Sequence, residues 1–301
     1  FDDGHCILWD YQESTHYKES NYLYIDEVRT GASMFYFAKG DNVKSAAENF
    51  SAQVSQIFKK KGRLTKKLAI DKIMLDGFKS LENRDFKIEN GENIMEHARS
   101  IKSVEELKAM RCSISACETS MHIMEKKTKP GMTENDIWSI LHSENIKRGG
   151  EWIETRLLTS GPRTNPWFQE CGPRIVQNNE IVAFDTDLVG SFGICVDISR
   201  TWWIGDQSPR PDMICAMRHA HEHIMRNMEL LKPGVHMSDL THNAHKLDEI
   251  YQVGKYSCLM HGVGLCDEWP LISYEDKFVE GAYDYHIEAG MVLCVEALVS
   301  P

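Results

Sequence analysis

Three aspartates interrupt two apolar stretches in the middle of the chain, and they limit what the chain can fold into. Residues 181–188 and 194–203 are rich in β-branched and aromatic side chains and are separated by two glycines, which predicts a β-hairpin. Side chains alternate along a strand, so Asp185 and Asp187 share one face and Asp197 can meet them across the hairpin. Carboxylates that lie close together and partly buried either raise each other's pKa or bind a cation.

Two further polar residues lie in apolar strand contexts nearer the C-terminus. His261 ends an apolar run and opens "HGVGL", and Glu296 lies inside "GMVLCVEALVSP", which is predicted to be a buried strand. Buried carboxylates are rare unless they are paired or bind a metal. Carboxylates with one imidazole suit Mn²⁺, Fe²⁺, Zn²⁺ or Co²⁺. Two closely spaced ions would neutralise the carboxylates and polarise a substrate oxygen.

A weak internal repeat divides the second part of the chain. The segments "MEKKTKPGMTEND" and "MELLKPGVHMSDL" both read as a helix, a Lys-Pro-Gly turn and the start of a second helix. Strands are predicted after each helix pair, at 152–159 and 181–203 in the first half and at 256–260 and 291–299 in the second. The pattern predicts an α+β domain over residues 97–301, built of two pseudo-symmetric helix–helix–strand halves with a site at their junction.

The first part of the chain is predicted to be a separate, smaller domain. Short apolar runs alternate with helical stretches, as at residues 67–70, where a predicted strand leads into a helix. Further along, Ser103 with Glu106 forms a capping box that begins a long helix. We therefore predict an α/β domain over residues 1–96 and place the boundary near Glu96.

The charge and the cysteine content limit which partners the protein can bind and which cell compartment suits it. The net charge of −11 makes nucleic acid and anionic membranes poor partners. No run approaches the roughly 20 apolar residues of a membrane span. The nine scattered cysteines, with no C-x-x-C pair, fit the reduced thiols of a cytoplasmic protein. The chain lacks an initial Met and stops inside an apparent strand, so we expect a fragment of a longer protein.

The order of these residues resembles a known enzyme family. An Asp pair in a hairpin that ends "DISRT", then "HGVGL", then a strand glutamate, is similar to the pita-bread metallohydrolases, which include methionine aminopeptidases, prolidases and creatinases. The resemblance covers roughly residues 98–301, and the first domain looks like the creatinase/prolidase N-terminal domain. It implies one further glutamate ligand beyond Pro301. The metal ligands that it implies within this chain are Asp185 or Asp187 or both, Asp197, His261 and Glu296.

Three departures from the peptidase pattern bear on the reaction. Peptidases place the first Asp eleven residues before Asp197, where this chain has Thr186 between two aspartates, so we expect a slip or bulge in the hairpin. The segment "SGPRTNPWF" lacks the histidine that peptidases carry there. In "HGVGLCDEWP", Asp267-Glu268 stand where peptidases place a second histidine before a glutamate. Those histidines act on the peptide carbonyl and the tetrahedral intermediate, so their absence argues against peptide hydrolysis.

Taken together, these phrases resemble one branch of the family, the dimethylsulfoniopropionate (DMSP) lyases of the DddP type. The resemblance implies cleavage of DMSP to dimethyl sulfide and acrylate. It further implies a homodimer with a dinuclear metal site, which is most often iron, with Zn, Mn or Co as alternatives.

β-Elimination from a sulfonium acid needs a metal-held carboxylate, an aromatic surround for the cation and a base. Trp167 and Trp269 adjoin the expected site, and Tyr22 of the first domain could reach it, so we predict these three as substrate-binding residues. Asp267 is the candidate base, and Tyr256 is its substitute, as base or as an orienting hydroxyl. Ordinary packing would equally explain the tryptophans, and hydrogen bonds within a turn would explain Asp267.

Two other functions stay open. A creatinase-like or Xaa-Pro metallohydrolase would use the same metals on another substrate. A pita-bread binding protein would have lost catalysis and would serve as a scaffold. Bound metal in the purified protein separates the scaffold from both enzymes.

Several conspicuous residues are interpreted as structural. His219 and His223 stand four residues apart, but not in the order H-E-x-x-H, so we expect a solvated or partly packed face of an amphipathic helix at 211–231. Trp202 and Trp203 extend a strand and are expected in the core and at the surface.

Overall fold

Two compact units make up the chain. The computed structural model describes residues 4–10 and 24–300. The units are Phe1–Met95 and Glu96–Pro301, and the boundary between them falls inside one helix.

The N-terminal unit combines parallel strand pairs with helices. The first two strands pair in parallel, as do the next two. The predicted strand at 67–70, followed by a helix, is confirmed. Apolar side chains of the longest helix, among them Val54 and Phe58, form a core with Leu81 and Phe86. The elements are β1 (Ile7–Trp9), β2 (Glu27–Arg29), α1 (Tyr36–Lys39), α2 (Val43–Lys60), β3 (Lys67–Ile70), α3 (Leu75–Glu82), β4 (Lys87–Asn90) and α4 (Glu92–Ser100), which crosses the unit boundary.

The C-terminal unit consists of two halves with the same order of elements. Each half begins with two helices and continues with strands, which confirms the predicted α+β architecture. The first half contains α5 (Val104–Lys127), α6 (Glu134–Lys147), β5 (Trp152–Ile153), β6 (Leu158–Ser160), β7 (Glu180–Phe184), β8 (Asp187–Val189), β9 (Cys195–Asp197) and β10 (Arg200–Ile204). The second half contains α7 (Pro211–Leu230), α8 (Met237–His242), β11 (Cys258–Val263), β12 (Asp267–Ser273) and β13 (Leu293–Val295).

The strands of this unit form antiparallel sheets. Their orders are β10-β7-β6, β5-β8-β9 and β12-β11-β13. The predicted strand at 256–260 begins two residues later, at Cys258, and continues to Val263. The predicted strand at 291–299 is confined to Leu293–Val295.

The internal repeat is visible in the hydrogen bonds that follow each Lys-Pro-Gly turn. The Gly131 N–H donates to the Val176 carbonyl, and the Val176 N–H donates back to the residue after the glycine. Gly234 and Ile287 make the same two bonds in the second half. Both glycines have a positive φ, 93° and 88°, which glycine adopts without steric cost. The repeat therefore reflects a real structural correspondence between the halves.

The hairpin that carries the aspartates is interrupted, but its register does not slip. Pairing stops at Asp185 and Thr186 and resumes at Asp187, which lies directly opposite Asp197. The number of unpaired residues is the same on the two strands, so the register is unchanged across the interruption. The predicted slip or bulge in the hairpin is therefore wrong. At the interruption the Asp185 N–H donates instead to the Leu157 carbonyl, 2.9 Å away, which keeps its backbone satisfied.

Each half buries its own apolar cluster. In the first, Leu141 and Phe184 are almost completely buried between the helices and β7. In the second, Leu240 on α8 and Leu259 on β11 are completely buried. Burial of each such side chain stabilises the fold by roughly 1.5–3 kcal/mol.

Capping boxes begin both long helices of the first half. The predicted box of Ser103 with Glu106 is present, and Thr133 with Asp136 forms another at α6. In the described residues, none of the helices combines the length and apolar character that crossing a membrane requires.

His223 on α7 is fully buried, which corrects the expectation of a solvated or partly packed face. Its Nε2 lies 3.0 Å from the Tyr274 hydroxyl, and its Nδ1 lies 3.2 Å from Nδ1 of His245. Residues distant in sequence cover the helix here, so the local amphipathic pattern underestimates burial. Burial, with smaller contributions from His245 and His219, lowers the pKa of His223 to about 4.

The buried His223 predicts a pH-dependent stability. Between pH 6.5, its ordinary pKa, and about pH 4, the unfolded chain binds a proton that the folded chain does not, so stability falls as the pH falls. At pH 5 the loss from this residue is about 2 kcal/mol. His223→Gln does not titrate, and its amide oxygen can accept from Tyr274. We expect the wild type to exceed this variant in thermal stability at about pH 7.5 by more than at about pH 5. Parallel pH profiles of the melting temperature would contradict the assignment.

Candidate metal centre

The two halves of the C-terminal unit meet at a group of acidic side chains around one histidine. Asp187 begins β8 and faces Asp197 at the end of β9. His261 lies on β11, whose neighbour β13 leads into Glu296. The Cys195 N–H on β9 donates to the Gly264 carbonyl, 2.8 Å away, so main-chain hydrogen bonding also joins the halves here.

His261 is oriented by its own backbone and by carboxylates from both halves. Its Nδ1 lies 2.9 Å from the Gly262 carbonyl, and its Nε2 lies 3.0 Å from Asp197 and 2.9 Å from Glu296. Burial opposes protonation of this imidazole, but the hydrogen bonds to Asp197 and Glu296 outweigh it and raise the pKa of His261 to about 12. An Nδ1–H held by a carbonyl is typical of metal-ligating histidines, because it leaves Nε2 to face the ion.

The carboxylates around His261 repel one another. Burial, followed by the charges of Asp197 and Glu296, raises the pKa of Asp185 well above its ordinary value. Burial and Asp197 raise the pKa of Asp187 to about 6. Burial also raises the pKa of Glu296, although the hydrogen bond to His261 acts in the opposite direction. A divalent cation would offset this repulsion and favour the charged form of each group, so these residues fit a metal.

Two overlapping groups of side chains have the spacing that a metal ion requires. The ligand atoms of Asp187, Asp197 and Asp267 lie within 4.8 Å of one another, as do those of Asp197, His261 and Cys294. In the part of the chain that the structure describes, these are the groups with such spacing, and both belong to this cluster. Asp197 is common to both. Carboxylates with one imidazole remain the donor set that hard or borderline divalent metals prefer.

Cys294 was not singled out from the sequence. Its thiol lies 3.5 Å from the Asp197 carbonyl oxygen. Burial, with the nearby Asp197 and Glu296 charges, raises the pKa of Cys294 well above its ordinary value, so the thiol stays protonated. Cys294 stands two residues before Glu296, and strand alternation could have placed both on the same face.

Asp267, the predicted base, lies on the Asp187 side of the cluster. Its carboxylate is 3.9 Å from Nδ1 of His261, and its side chain is 51% exposed. Burial of the remainder and the charge of Asp187 raise the pKa of Asp267 to about 7. The carboxylate is therefore both close to the proposed ligands and open to solvent.

The neighbouring Glu268 has a structural role. Its fully buried carboxylate accepts from Lys102, at 2.8 Å, and from the Leu265 N–H, at 2.7 Å. The Lys102 side chain is itself almost completely buried. The Leu265 bond closes the turn between β11 and β12, and the ion pair ties that turn, next to Asp267, to the segment before α5.

A cavity of about 730 Å³ opens beside the cluster. Asp185 and Glu296 line the cavity where it meets the cluster. Arg210, the residue just before α7, also lines it. Aromatic and thioether side chains form much of the remaining wall: Trp167, Phe168, Phe184, Trp203, Tyr256, Met213 and Met217. The cavity therefore combines carboxylates with ring faces, which attract organic cations.

The predicted substrate-binding residues differ in whether they line the cavity. Trp167 lines this cavity, and Tyr256 lines it from the loop just before β11, with its ring 5.1 Å from that of Phe168. Trp203 also lines the cavity, although it was expected in the core or at the surface. Tyr22 lies outside the described residues.

Trp269 does not line the cavity. Strand pairing jumps from His261–Leu271 to Gly262–Glu268, so Trp269 falls in a bulge of β12, and bulges change the direction of side chains. Its ring contacts His97 and Tyr285 at a separate cavity of about 440 Å³. A bulge of this kind is set by pairing across the sheet, and the local sequence does not reveal it.

The sequence matches metallopeptidase family M24 over residues 108–300, which includes every side chain of the cluster. The chain therefore belongs to metallopeptidase family M24, and the predicted pita-bread fold is confirmed. Divalent metal ions are the cofactors of this family, in agreement with the donor set of the cluster.

Two relatives are much more similar to the chain than the family as a whole. The dimethylsulfoniopropionate lyase DddP of Roseovarius nubinhibens is 57% identical over 302 residues, which cover 99% of this chain and 68% of that protein. The dimethylsulfoniopropionate lyase DddP of Roseobacter denitrificans is 57% identical over 303 residues, with the same coverage. The resemblance to the DddP type is thereby confirmed.

Solved structures show the same fold at low sequence identity. An X-Pro aminopeptidase from Thermotoga maritima superposes with a TM-score of 0.77 at 20% identity, over 98% of this chain and 76% of that one. A Xaa-Pro dipeptidase from Bacillus anthracis superposes with a TM-score of 0.75 at 17% identity, over 97% and 76%. At such identities the likeness concerns the fold alone.

The repulsion within the cluster predicts opposite effects of one substitution with and without metal. In metal-free protein, Asp185→Asn removes a partly buried carboxyl whose ionisation Asp197 and Glu296 oppose, so the melting temperature should equal or exceed that of the wild type. With metal, the variant lacks a ligand, and we expect metal affinity to fall at least about 10- to 100-fold. Calorimetric melting with and without added divalent metal measures both effects.

Asp206→Asn is the matched control, because Asp206 is an exposed carboxylate of the same unit outside the cluster. Asp206→Asn should not appreciably change the melting temperature, either with or without added metal. An Asp185→Asn protein that gains as much stability from metal as the wild type would contradict the assignment of Asp185 as a ligand.

Proposed function

We propose that the chain is a metal-dependent lyase that cleaves DMSP to dimethyl sulfide and acrylate by β-elimination. The observation that carries the proposal is a carboxylate and histidine cluster that opens onto a cavity walled by aromatic rings. The 57% identity to two DMSP lyases over nearly the whole chain supports the same substrate.

The chemistry of DMSP matches the lining of the cavity. DMSP carries a carboxylate at one end and a sulfonium cation at the other. Trp167, Phe168, Trp203 and Tyr256 all line the cavity and would face the cationic end, since ring faces attract soft cations within about 6 Å. The bound substrate thus lies with its carboxylate toward Asp185 and Glu296 and its sulfonium toward the rings.

The metal ions would be held by Asp185, Asp187, Asp197, His261 and Glu296. When bound, they supply a Lewis acid that neutralises these carboxylates and holds the carboxylate of the substrate. We place two divalent ions at the site on the resemblance to the lyase branch, and Asp197, which has potential ligands on both sides, would be the residue best placed to contact both.

In the elimination itself, a base removes a proton from the carbon next to the substrate carboxylate. The electron pair of that C–H bond forms the C=C bond of acrylate, and the C–S bond breaks with its electrons leaving on sulfur. Asp267 is the proposed base, because its carboxylate is within 4.8 Å of Asp187 and Asp197 and is accessible. Tyr256 lines the cavity itself and is the alternative, as base or as the hydroxyl that orients the substrate.

The hydrolytic alternatives have less support. The loop that contributes Trp167 has no histidine, and Asp267 stands where peptidases of this fold place the second one. A Xaa-Pro hydrolase would lack both imidazoles that act on the peptide carbonyl. A pure scaffold would have no use for mutually repelling buried carboxylates.

The proposal includes three finer features. Iron is the proposed resident metal, and a homodimer is the proposed assembly, both on the resemblance to the lyase branch. A cytoplasmic location agrees with the cysteines, which all lie in the described part of the chain and are all free thiols.

Substitutions at the cluster separate ligands from the base. With full-length protein, Asp197→Ala should lose both bound metal and dimethyl sulfide release. Asp267→Asn should keep its metal but lose at least about 100-fold in kcat, the usual contribution of a general base. Tyr256→Phe should keep its metal and show a smaller loss in kcat than Asp267→Asn. Headspace dimethyl sulfide and elemental metal content are measured on the same samples, with a Xaa-Pro dipeptide as control substrate.

Two results would revise these roles. Loss of metal in Asp267→Asn would make Asp267 a ligand. Full activity in that variant, with a large loss in Tyr256→Phe, would make Tyr256 the base.

The aromatic wall predicts a specific defect in substrate binding. Trp167→Leu should raise KM for DMSP by about 2- to 30-fold with little change in kcat, because a ring contact to a cation is worth about 0.5–2 kcal/mol. Trp152→Leu is the control, since Trp152 is half-exposed on β5 and does not line the cavity. Equal KM values for the two variants would exclude Trp167 from the binding site.

A further inference from the structure

A fully buried carboxylate lies at the start of α6, outside the metal cluster. Glu134 Oε1 accepts from both the N–H and the hydroxyl of Ser160, each at 2.8 Å. Its Oε2 accepts from the Gly172 N–H, at 3.1 Å, and from the Arg163 guanidinium. All four donors belong to one segment, residues 160–172, which we term the cavity loop.

The main chain at the same helix start also holds the end of the cavity loop. The N–H groups of Glu134 and Asn135 donate to the carbonyls of Arg174 and Gly172, at 3.0 and 3.1 Å. These are N-terminal amides that α6 itself leaves without partners. The Arg163 guanidinium further donates to the Glu170 carbonyl within the loop. Glu134 therefore connects the beginning of the cavity loop, at Ser160 and Arg163, with its end at Gly172.

The other half of the unit shows that the helix start does not need this carboxylate. Met237 stands three residues after Gly234, as Glu134 stands three residues after Gly131. The Met237 N–H donates to a carbonyl of its own half, as the Glu134 N–H does. Met237, however, is an apolar side chain buried in the core. The repeat thus forms with an apolar residue here, and the carboxylate is a feature specific to the half that carries the cavity loop.

The cavity loop supplies much of the wall that faces the proposed substrate. Trp167 and Phe168 line the cavity, as do Gly161 and Asn165. Phe168 is 52% exposed, and no strand holds the segment from 161 onward until β7. The position of these rings therefore depends on the polar contacts that anchor the loop.

We propose that Glu134 is a positioning residue that holds the cavity loop in the conformation in which Trp167 and Phe168 contact the sulfonium group. Glu134 acts through the loop and does not line the cavity itself. The binding part of this inference rests on the proposed lyase function, whereas the ordering of the loop does not.

The test compares two buried glutamates of the same helix. Glu134→Gln would set an amide NH₂ against the Gly172 N–H and the Arg163 guanidinium, where only an acceptor fits. Glu144→Gln is the matched control, because Glu144 is buried on α6 but pairs with Lys127, Lys147 and Arg148, all outside the cavity loop.

The first readout is amide hydrogen exchange of the metal-loaded proteins, followed by mass spectrometry. Peptides covering residues 160–172 should exchange at least about tenfold faster in Glu134→Gln than in wild type, and at the wild-type rate in Glu144→Gln. This readout needs no substrate. Unchanged exchange of the loop in Glu134→Gln would overturn the inference.

The second readout is steady-state kinetics with DMSP. Glu134→Gln should raise KM about 5- to 20-fold, keep kcat within about threefold and keep its metal, whereas Glu144→Gln should leave KM unchanged. Faster loop exchange with an unchanged KM would overturn the inference, because the loop would then not position the binding rings. A wild type that releases no dimethyl sulfide would contradict the proposed function, and the exchange comparison alone would then decide for or against Glu134.

Discussion

The contact of His261 with Asp197 and Glu296 is the interaction on which the rest of the C-terminal unit depends. Asp197 comes from the first half of the repeat, whereas His261 and Glu296 come from the second. Because these groups are partly buried, water screens the like charges of Asp185, Asp187 and Glu296 less than it would at the surface. A cation is the component that turns this repulsion into attraction, and it would hold the halves together at the same point where it acts on a substrate.

The same arrangement explains how one fold can serve different reactions. Pita-bread peptidases and this chain share the fold at about 20% identity. In this chain the cavity wall is largely aromatic and the cavity loop contains no histidine, whereas Asp267 lies in the cluster and does not line the cavity. These features favour the proposed recognition of a cation and removal of a proton.

Local sequence patterns predicted the parts of the structure that depend on local rules. Strand alternation predicted that Asp187 and Asp197 can meet across the hairpin, and the repeated Lys-Pro-Gly turns correspond to the same hydrogen bonds in each half. Features set by distant partners were missed. Trp269 is displaced by a bulge against β11, and His223 is buried by Tyr274 and His245.

The cavity shows the same division between local and distant determinants. The residues of β10 that line it alternate, so Thr201 and Trp203 share a face that strand periodicity could have identified. The anchoring of the cavity loop by Glu134 could not have been identified in this way, because its partners lie 26 or more residues further along the chain.

The most direct test of a metal centre that cleaves DMSP is a titration of activity against bound metal. Full-length protein is stripped of metal and reloaded in steps with Fe²⁺ under anaerobic conditions, and dimethyl sulfide release is measured at each step beside the metal content. Release should be absent without metal and should rise with bound metal until the cluster is filled. A fully loaded protein that releases no dimethyl sulfide, or a metal-free protein that releases it at the same rate, would contradict the account.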